Sequence, residues 1–325
     1  MTRRPLCNFY AASCERCGGV YEYVLFDDGA AECIRVLPCD SPMYLARGEG
    51  TLYVLLRAPF ADSNESGVLM LSEATGEAIC DTVSTFGEVG CHIAADGDGV
   101  FVANYMSGSI LRIGGKSVAH SGGSIDSARQ TSPHPHSAVI SPDGKYVFSA
   151  DLGTDTVYVY TKELEPVTSA KVPLGAGPRH LAFSMCGNYV YCINEMGGSI
   201  TVFSWNGATL SALLTYELLK DGIRPGSGAA IKLSHDGKRI YVTERAAGEI
   251  ITLAADGASL IELSRTSSRG KEPRDVEILA NGRYLLVANQ WGGGIAIFKL
   301  NEEGIPEYVG STPLDSVLCV LERST

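Results

Sequence analysis

Residues 137–160 read SAVISPDGKYVFSADLGTDTVYVY. Two runs of β-branched and aromatic residues flank a Ser-Pro-Asp-Gly turn at 141–144, and Asp-Gly between such runs is a strong signal for a β-hairpin. A third run of the same kind, Thr156–Tyr160, follows after a short polar segment. The stretch therefore predicts three strands in succession, each antiparallel to the one before it.

The same pattern of an apolar strand, a turn with glycine and a second apolar strand recurs along the chain. Equivalent turns fall near residues 50, 97, 144, 187, 237 and 282, so the repeat period is 43–50 residues. The six segments that carry the pattern are Tyr44–Arg57, His92–Tyr105, Ser137–Leu152, His180–Glu195, Ala229–Arg245 and Asp275–Gln290. Four-stranded units of this period are typical of a β-propeller, and 325 residues divide into about seven of them.

The seventh unit is predicted to be shared between the two ends of the chain. Leu6–Ala11 and Val20–Phe26 supply strands at the start, and Val317–Leu321 supplies a strand at the end. Pairing these strands removes an open sheet edge, which is otherwise a risk for aggregation. We therefore predict an all-β fold with a single domain over residues 1–325. It is a seven-bladed β-propeller of four-stranded antiparallel blades, closed by that pairing.

The composition excludes several classes of protein. Hydrophobic residues make up 45% of the chain and 37 of its 325 residues are glycine, which is typical of a large core with many tight turns. The net charge of −11 argues against binding to nucleic acid, because phosphate backbones recruit basic surfaces. No apolar run approaches the ~18 residues needed to span a bilayer, so we expect no membrane association either.

The N-terminal residues and the cysteines predict a cytoplasmic protein. Arg3 and Arg4 are not followed by the apolar run of roughly 7–15 residues that a secretory signal contains. The ten cysteines are then expected to be free thiols in a reducing compartment. Cys14 and Cys17 form a CxxC motif, but it lacks a second cysteine pair or nearby histidines, so we expect no metal there. We expect a monomer or a weak homo-oligomer.

The repeat also predicts where polar residues meet. Because the two strands of a hairpin are antiparallel, the residues before the first strand and after the second lie at the same end of every blade. The residues before first strands are Cys91-His92, His134–Ser137, Pro178–His180, Gly226–Gly228 and Pro273–Asp275. Those after second strands are Arg57, Asn104-Tyr105, Asp151, Asn194-Glu195, Glu244-Arg245 and Asn289-Gln290. Convergent polar groups at a channel mouth are the usual form of a small-molecule site.

Some of these residues are expected to be structural. One register holds Asn or Asp in four repeats, which predicts a repeated turn-capping role. Its members are Asn104, Asp151, Asn194 and Asn289. The next register differs between repeats, as the residues of a specialised site would, and its members include Arg57, Glu195, Arg245 and Gln290. His120 and His235 lie outside this set and are predicted to be surface residues.

Several of these segments resemble a known family. Pro133–Ser137, Ser141–Lys145 and Ala150–Asp155 are almost continuous, and related motifs follow at Gly177–Phe183, Ile193–Glu195 and Val287–Gln290. Together they resemble the seven-bladed β-propeller lactonase family, which includes 6-phosphogluconolactonases and is related to 3-carboxymuconate cyclases. The resemblance covers residues 40–325 well. It implies a lactone hydrolase that needs no cofactor and no metal.

The resemblance also implies site residues. A His, two Arg and a Glu at the channel mouth of the related cycloisomerase match His136, Arg179, Glu195 and Arg245, which are therefore the expected catalytic residues. The family's usual Ser-Asn-Arg is Thr243-Glu244-Arg245 in this chain, and the extra carboxylate is expected to weaken a phosphate site. Substrate contacts are expected from the other varied polar residues of the set, namely Arg57, His92, Tyr105, Arg274 and Gln290.

Lactone hydrolysis needs an activated water, a stabilised oxyanion and a proton for the leaving alkoxide. We expect Glu195 to be the general base and His136 its partner or the general acid, although the two roles could be exchanged. Arg179 and Arg245 would bind the lactone carbonyl or a substrate phosphate.

The expected partner is a small anionic lactone, with 6-phosphogluconolactone first. Two alternatives stay open at this point. One is a lactonase or cycloisomerase for another acidic, carboxymuconate-like substrate, and the other is a non-catalytic protein-binding propeller.

Overall fold

Residues 3–219, 226–279 and 282–323 are described by the structure, which is a computed structural model. Within these ranges, all of the named secondary-structure elements are β-strands. The first fourteen strands are β1 Pro5–Ser13, β2 Gly19–Phe26, β3 Ala31–Pro38, β4 Pro42–Gly48, β5 Thr51–Leu56, β6 Glu65–Ser72, β7 Val83–Glu88, β8 Gly90–Asp96, β9 Gly99–Asn104, β10 Ser109–Arg112, β11 Ser117–Ala119, β12 Val139–Ile140, β13 Tyr146–Asp151 and β14 Thr156–Thr161. The other fourteen are β15 Pro166–Lys171, β16 Pro178–Phe183, β17 Tyr189–Asn194, β18 Ser199–Trp205, β19 Leu210–Glu217, β20 Gly228–Leu233, β21 Arg239–Glu244, β22 Glu249–Asp256, β23 Ser259–Ser267, β24 Pro273–Ile278, β25 Tyr284–Asn289, β26 Ile295–Leu300, β27 Pro306–Thr312 and β28 Val317–Glu322.

These strands form seven four-stranded sheets, as the repeat predicts. The chain divides into two compact units, the first made of Met1–Met43 with Ala229–Thr325 and the second of Tyr44–Gly228. The first unit contains the sheets β28-β1-β2-β3, β20-β21-β22-β23 and β24-β25-β26-β27. The second contains β4-β5-β6-β7, β11-β10-β9-β8, β12-β13-β14-β15 and β16-β17-β18-β19.

In the first unit, the two ends of the chain share a sheet. β1 pairs with β2 along one edge and antiparallel with β28 along the other, which confirms the predicted pairing. A buried carboxylate, Glu22 on β2, joins the strands of this sheet. It accepts hydrogen bonds from Asn8 Nδ2 at 3.1 Å and Arg35 Nε at 2.7 Å, and it also pairs with Arg323 just after β28.

In the second unit, neighbouring hairpins use the same turn with different residues. Ser141 Oγ donates to the Asp143 carboxylate at 2.6 Å, and Gly144 supplies the left-handed φ of 70° that the turn needs. In the next sheet, Ser184 Oγ lies 3.3 Å from Cys186 Sγ, where the first turn has a carboxylate. The substituted turn therefore keeps the hairpin intact.

The core of the second unit lies between adjacent sheets. Phe148 on β13 and Val159 on β14 pack in one cluster with Cys192 on β17 and Phe203 on β18, and all four side chains are fully buried. Central strands are covered on both faces, which explains their nearly continuous apolar sequences. The outermost strand of this last sheet, β19, is largely exposed and correspondingly polar.

Three sheets contain a β-bulge where the first hairpin strand begins. Between the paired residues Pro178 and His180, Arg179 is the extra residue of the bulge in β16. The same shift in register occurs at Cys91 in β8 and at Arg274 in β24. A bulge redirects a side chain away from the strict alternation of a strand, and bulges are common beside active sites.

Candidate active site

Three basic side chains surround one carboxylate, Glu195, in the second unit. Arg179 Nε lies 3.1 Å from Glu195 Oε2, and Arg129 Nη2 donates to Oε1 at 3.0 Å. His136 Nε2 lies 4.0 Å from Oε2. The side chains of Glu195 and Arg179 are only 7% and 2% exposed. Two guanidinium groups stabilise the ionised form of such a buried carboxylate, so Glu195 is an oriented anion.

The local backbone explains how His136 and Arg179 reach this position. Arg179 is the bulged residue that follows Pro178. His136 likewise follows Pro135, which bridges to Asp151, and its backbone N–H donates to the carbonyl of Ala150 at 2.8 Å. Each side chain therefore leaves the chain directly after a proline at the end of a hairpin, where the sequence repeat predicts site residues.

A set of aromatic rings in edge-to-face contact extends from His136. The His136 ring lies 5.4 Å from Tyr105 and 5.5 Å from His180, measured between ring centroids. His180 in turn lies 5.1 Å from His92 and 5.8 Å from Tyr44. The structure thus brings the predicted residues His92 and Tyr105 into one cluster with His136, Arg179 and Glu195.

The donors around two of these imidazoles define their tautomers. Arg179 Nη1 lies 3.3 Å from His180 Nε2, and a guanidinium group can only donate, so Nε2 is the acceptor. The backbone N–H of Ala138 donates to His92 Nδ1 at 3.4 Å, so this nitrogen also carries a lone pair. His136 is the imidazole of the cluster that lies beside the Glu195 carboxylate.

Arg129 is a residue of this cluster that the sequence argument missed. It lies in the segment between β11 and β12, residues 120–138, which has no counterpart in the strand repeat. Asp126 Oδ1 accepts the backbone N–H of Arg129 at 2.8 Å, and Gln130 is fully buried. The unusual length of the segment before His134 was the available signal, because long connections often carry functional residues.

Tyr105 connects Arg129 to the ring cluster. Its hydroxyl accepts a hydrogen bond from Arg129 Nη2 at 3.0 Å, and its ring stacks on His134 with centroids 4.5 Å apart. Burial raises the pKa of Tyr105, although the hydrogen bond and charge of Arg129 oppose that shift. The phenol therefore keeps its proton at neutral pH and is able to donate it in a hydrogen bond.

The structure describes other contacts for four of the predicted site residues. In the first unit, Arg245 Nε lies 3.8 Å from Glu272 Oε2, and Arg274 Nη1 donates to Gln290 Oε1 at 3.2 Å. The backbone N–H of Gln290 donates to the Glu272 carbonyl at 3.0 Å, so these residues form a polar group in that unit. In the second unit, Arg57 lies directly after β5 with an exposed side chain.

The side chains at the register that is predicted to cap turns make structural hydrogen bonds. Asn104 Nδ2 donates to the carbonyl of Thr85 at 3.0 Å, and Asn289 Nδ2 donates to that of Ser268 at 3.1 Å. Glu244 occupies the same register and accepts the N–H of Ala247 at 2.7 Å, with only 2% of the residue exposed. Its other oxygen, Oε1, is buried without a hydrogen-bond partner among the described residues, and the expected effect of Glu244 on a phosphate site stays a prediction.

The predicted surface position of His120 is wrong. Its side chain is fully buried, and Nδ1 lies 2.6 Å from Asp151 Oδ2. The other oxygen of Asp151 accepts the backbone N–H of His134 at 2.8 Å, so the pair braces the segment that leads to His136. The sequence did not reveal this partner, because His120 lies outside the repeated positions. His235 is exposed, as predicted.

The described residues contain no disulfide bond. All ten cysteines carry free thiols. Within residues 3–219, 226–279 and 282–323, no three His, Cys, Asp or Glu side chains are grouped so that they could hold a metal ion. The same ranges contain no helix with the length and apolar character needed to cross a membrane.

Comparisons with known proteins agree with this architecture. The family model of the seven-bladed β-propeller lactonases matches residues 8–321. A protein of Lactococcus lactis without an assigned function is 31% identical over 306 residues, which are 86% of this chain and 87% of that protein. A 6-phosphogluconolactonase of Formosa agariphila is 29% identical over 237 residues, 65% of this chain and 67% of that one.

A solved structure gives the same result. The periplasmic gluconolactonase of Pseudomonas aeruginosa superposes with a TM-score of 0.85 at 27% identity, over 98% of this chain and 99% of that chain. The seven four-stranded sheets and the family match confirm the predicted seven-bladed β-propeller. The chain therefore belongs to the seven-bladed β-propeller lactonase family.

Proposed function

We propose that this lactonase hydrolyses 6-phospho-D-glucono-1,5-lactone to 6-phosphogluconate. The observation that carries the proposal is the buried Glu195 carboxylate, oriented by Arg179 and next to the imidazole of His136. The family supports the class of reaction, and the name of the Formosa relative supports the substrate. A cytoplasmic location and a monomeric or weakly associated state stay predictions from the sequence.

The two oxygens of Glu195 have different roles in this mechanism. Oε2 is fixed by Arg179, whose side chain is 2% exposed and therefore orients Glu195 rather than binding ligands from solvent. Oε1 is the oxygen that receives a proton from the attacking water. The water oxygen adds to the lactone carbonyl carbon, and the tetrahedral oxyanion that results needs hydrogen-bond donors.

His136 supplies the second proton transfer. Collapse of the tetrahedral intermediate breaks the bond between the carbonyl carbon and the ring oxygen, and the leaving alkoxide takes a proton from His136 Nε2. Glu195 Oε2 lies 4.0 Å from this nitrogen. The proton on Glu195 then returns to His136 or to solvent, so one water is consumed for each lactone opened.

Donors for the oxyanion are available near His136. The Tyr105 hydroxyl is protonated at neutral pH, and its ring lies 5.4 Å from that of His136. Arg245 stays a predicted catalytic residue, and Arg57, Arg274 and Gln290 stay predicted substrate contacts. Single substitutions test each of these predictions by their effects on kcat and KM.

The test is hydrolysis of freshly generated 6-phosphogluconolactone, followed through an added NADP-dependent dehydrogenase that oxidises the product. Glu195→Gln and His136→Asn are expected to lower kcat by ~10²- to 10⁴-fold after spontaneous hydrolysis is subtracted. Glu165→Gln is the matched control, because Glu165 pairs with Lys116 on the surface of the same unit. No saturable acceleration by the wild type would overturn the proposal. In that case, other lactones and carboxymuconates come next.

A further inference from the structure

Arg129 differs from the other basic residues around Glu195 in its exposure. Its side chain is 45% exposed, whereas those of Arg179 and His136 are 2% and 7% exposed. Both of its contacts in the described structure, to Glu195 Oε1 and to the Tyr105 hydroxyl, use the single nitrogen Nη2. Nη1 and Nε therefore remain as donors that a ligand arriving from solvent is able to reach.

The chain holds the base of this side chain firmly. Asp126 Oδ1 accepts the backbone N–H groups of Ala128 and Arg129 at 2.9 and 2.8 Å. The next residue, Gln130, donates from Nε2 to the Leu152 carbonyl and to Asp155 Oδ1, both at 2.8 Å. Arg129 is thus an exposed guanidinium group on an anchored segment, and such a group is suited to bind an anion with its planar fork.

We infer that Arg129 recognises the anionic group of the substrate, and that this contact draws Arg129 away from Glu195 Oε1. Without an anion, Arg129 covers the oxygen that has to accept the proton of water. With an anion bound, the Arg129 guanidinium no longer lies against Oε1, so Glu195 loses a neighbouring positive charge that weakens it as a base. The inference rests on the proposed function and names its substrate class, the phosphorylated or otherwise anionic lactones.

The distinguishing measurement compares two lactones that differ only in the phosphate. For Arg129→Gln, kcat/KM for 6-phosphogluconolactone is expected to fall ~10- to 100-fold, the loss typical of a charge-assisted hydrogen bond. The kcat/KM for glucono-1,5-lactone is expected to rise, because Glu195 then loses a neighbouring positive charge that weakens it as a base. Equal losses with both lactones, or no loss with either, would overturn the inference.

Arg112→Gln is the matched control. It removes an arginine charge from the same unit, but Arg112 pairs with Glu163 and lies outside the Glu195 cluster. Neither rate is expected to change in this variant. A second control, Arg129→Lys, keeps the charge without the planar fork and is expected to recover part of the preference for the phosphorylated lactone.

Binding of the product separates this inference from the proposed function. Calorimetry with 6-phosphogluconate and gluconate is expected to show that the wild type prefers the phosphorylated acid and that Arg129→Gln loses this preference. If the wild type turns over no lactone but Arg129 still determines this preference, the proposed function fails and the recognition role stands. If turnover is normal and the preference for 6-phosphogluconate does not depend on Arg129, only the recognition role is contradicted.

A separate experiment tests whether an anion draws Arg129 away from Glu195. Added inorganic phosphite is expected to raise the turnover of glucono-1,5-lactone by the wild type, because the separate anion occupies Arg129. Arg129→Gln is expected to show no such activation. Activation of equal size in both proteins, or in neither, would contradict the uncovering step.

Discussion

Arg179 Nε lies 3.1 Å from Glu195 Oε2, and both side chains are more than nine-tenths buried. The same guanidinium group reaches His180 Nε2 with Nη1 at 3.3 Å. One bulged residue thus orients the carboxylate and an imidazole of the cluster together. Because neither charge is accessible to much water, each depends on the other for its stability as well as for its position.

The first prediction concerns this ion pair. Arg179→Met is expected to lower the free energy of unfolding by about 3 kcal/mol, because it leaves the buried carboxylate of Glu195 with fewer cations. Adding Glu195→Gln to that variant is expected to restore most of the loss, since no buried charge then remains. Urea denaturation of the single and double variants measures this coupling. Strictly additive losses would show that the two charges do not depend on each other.

The second prediction concerns the segment that carries His136. A Cβ on Gly153 would lie 1.9 Å from the Ser132 carbonyl oxygen and 2.8 Å from His134 N, so the backbone before His136 has to move. Gly153→Ala is expected to cost about 2 kcal/mol of stability. It is also expected to lower kcat by ~10²-fold, because catalysis tolerates little displacement of a proton donor.

Gly48→Ala is the control for that substitution. The nearest atom to a Cβ at Gly48 is 3.7 Å away, which is an ordinary contact. Its stability and kcat are expected to match those of the wild type. A Gly153→Ala enzyme with normal kcat would show that the position of His136 does not depend on this close approach.

The third prediction concerns Asp275, which is 1% exposed in the first unit. Burial raises the pKa of Asp275 from 3.8 to about 6, although the attraction of Lys232 opposes this shift. The folded state therefore binds this proton more tightly than the unfolded chain does. The resulting stabilisation is complete below the unfolded pKa near 4 and is lost as the pH rises through about 6.

Asp275→Asn removes this dependence, because asparagine is neutral at every pH. The variant is expected to be more stable than the wild type by up to about 3 kcal/mol at pH 8, and by only about 1 kcal/mol at pH 4.5. Urea denaturation at the two pH values checks this, with the exposed Glu302→Gln as a control. A gain of equal size at both pH values would rule out the titration of Asp275 as its source.

The turn chemistry made the fold predictable. Asp-Gly turns and apolar runs act over a few residues, so each hairpin was visible in its own segment, and the pairing of β1 with β28 followed from the incomplete unit at each end. His136, Arg179 and Glu195 were found because they occupy repeated positions where the residue type changes.

Contacts from segments without repeats were not predictable. Arg129 reaches Glu195 from 66 positions away, and His120 reaches Asp151 across 31, both from the segment between β11 and β12. Nothing local marks such a side chain as a partner, because its conformation depends on the anchoring of a long connection. The sequence therefore does not show that Arg129 is exposed whereas His120 is buried.

The pairing of β1 with β28 has a consequence for biosynthesis. The ribosome makes β1 long before β28, so the edge of β1 from Phe9 to Ser13 stays open while the intervening strands emerge. That edge presents bare backbone groups beside side chains that are destined for the core. Until β28 pairs with it, this edge is open to pairing with other chains, so a chain truncated before Val317 is expected to aggregate more readily than one that retains β28.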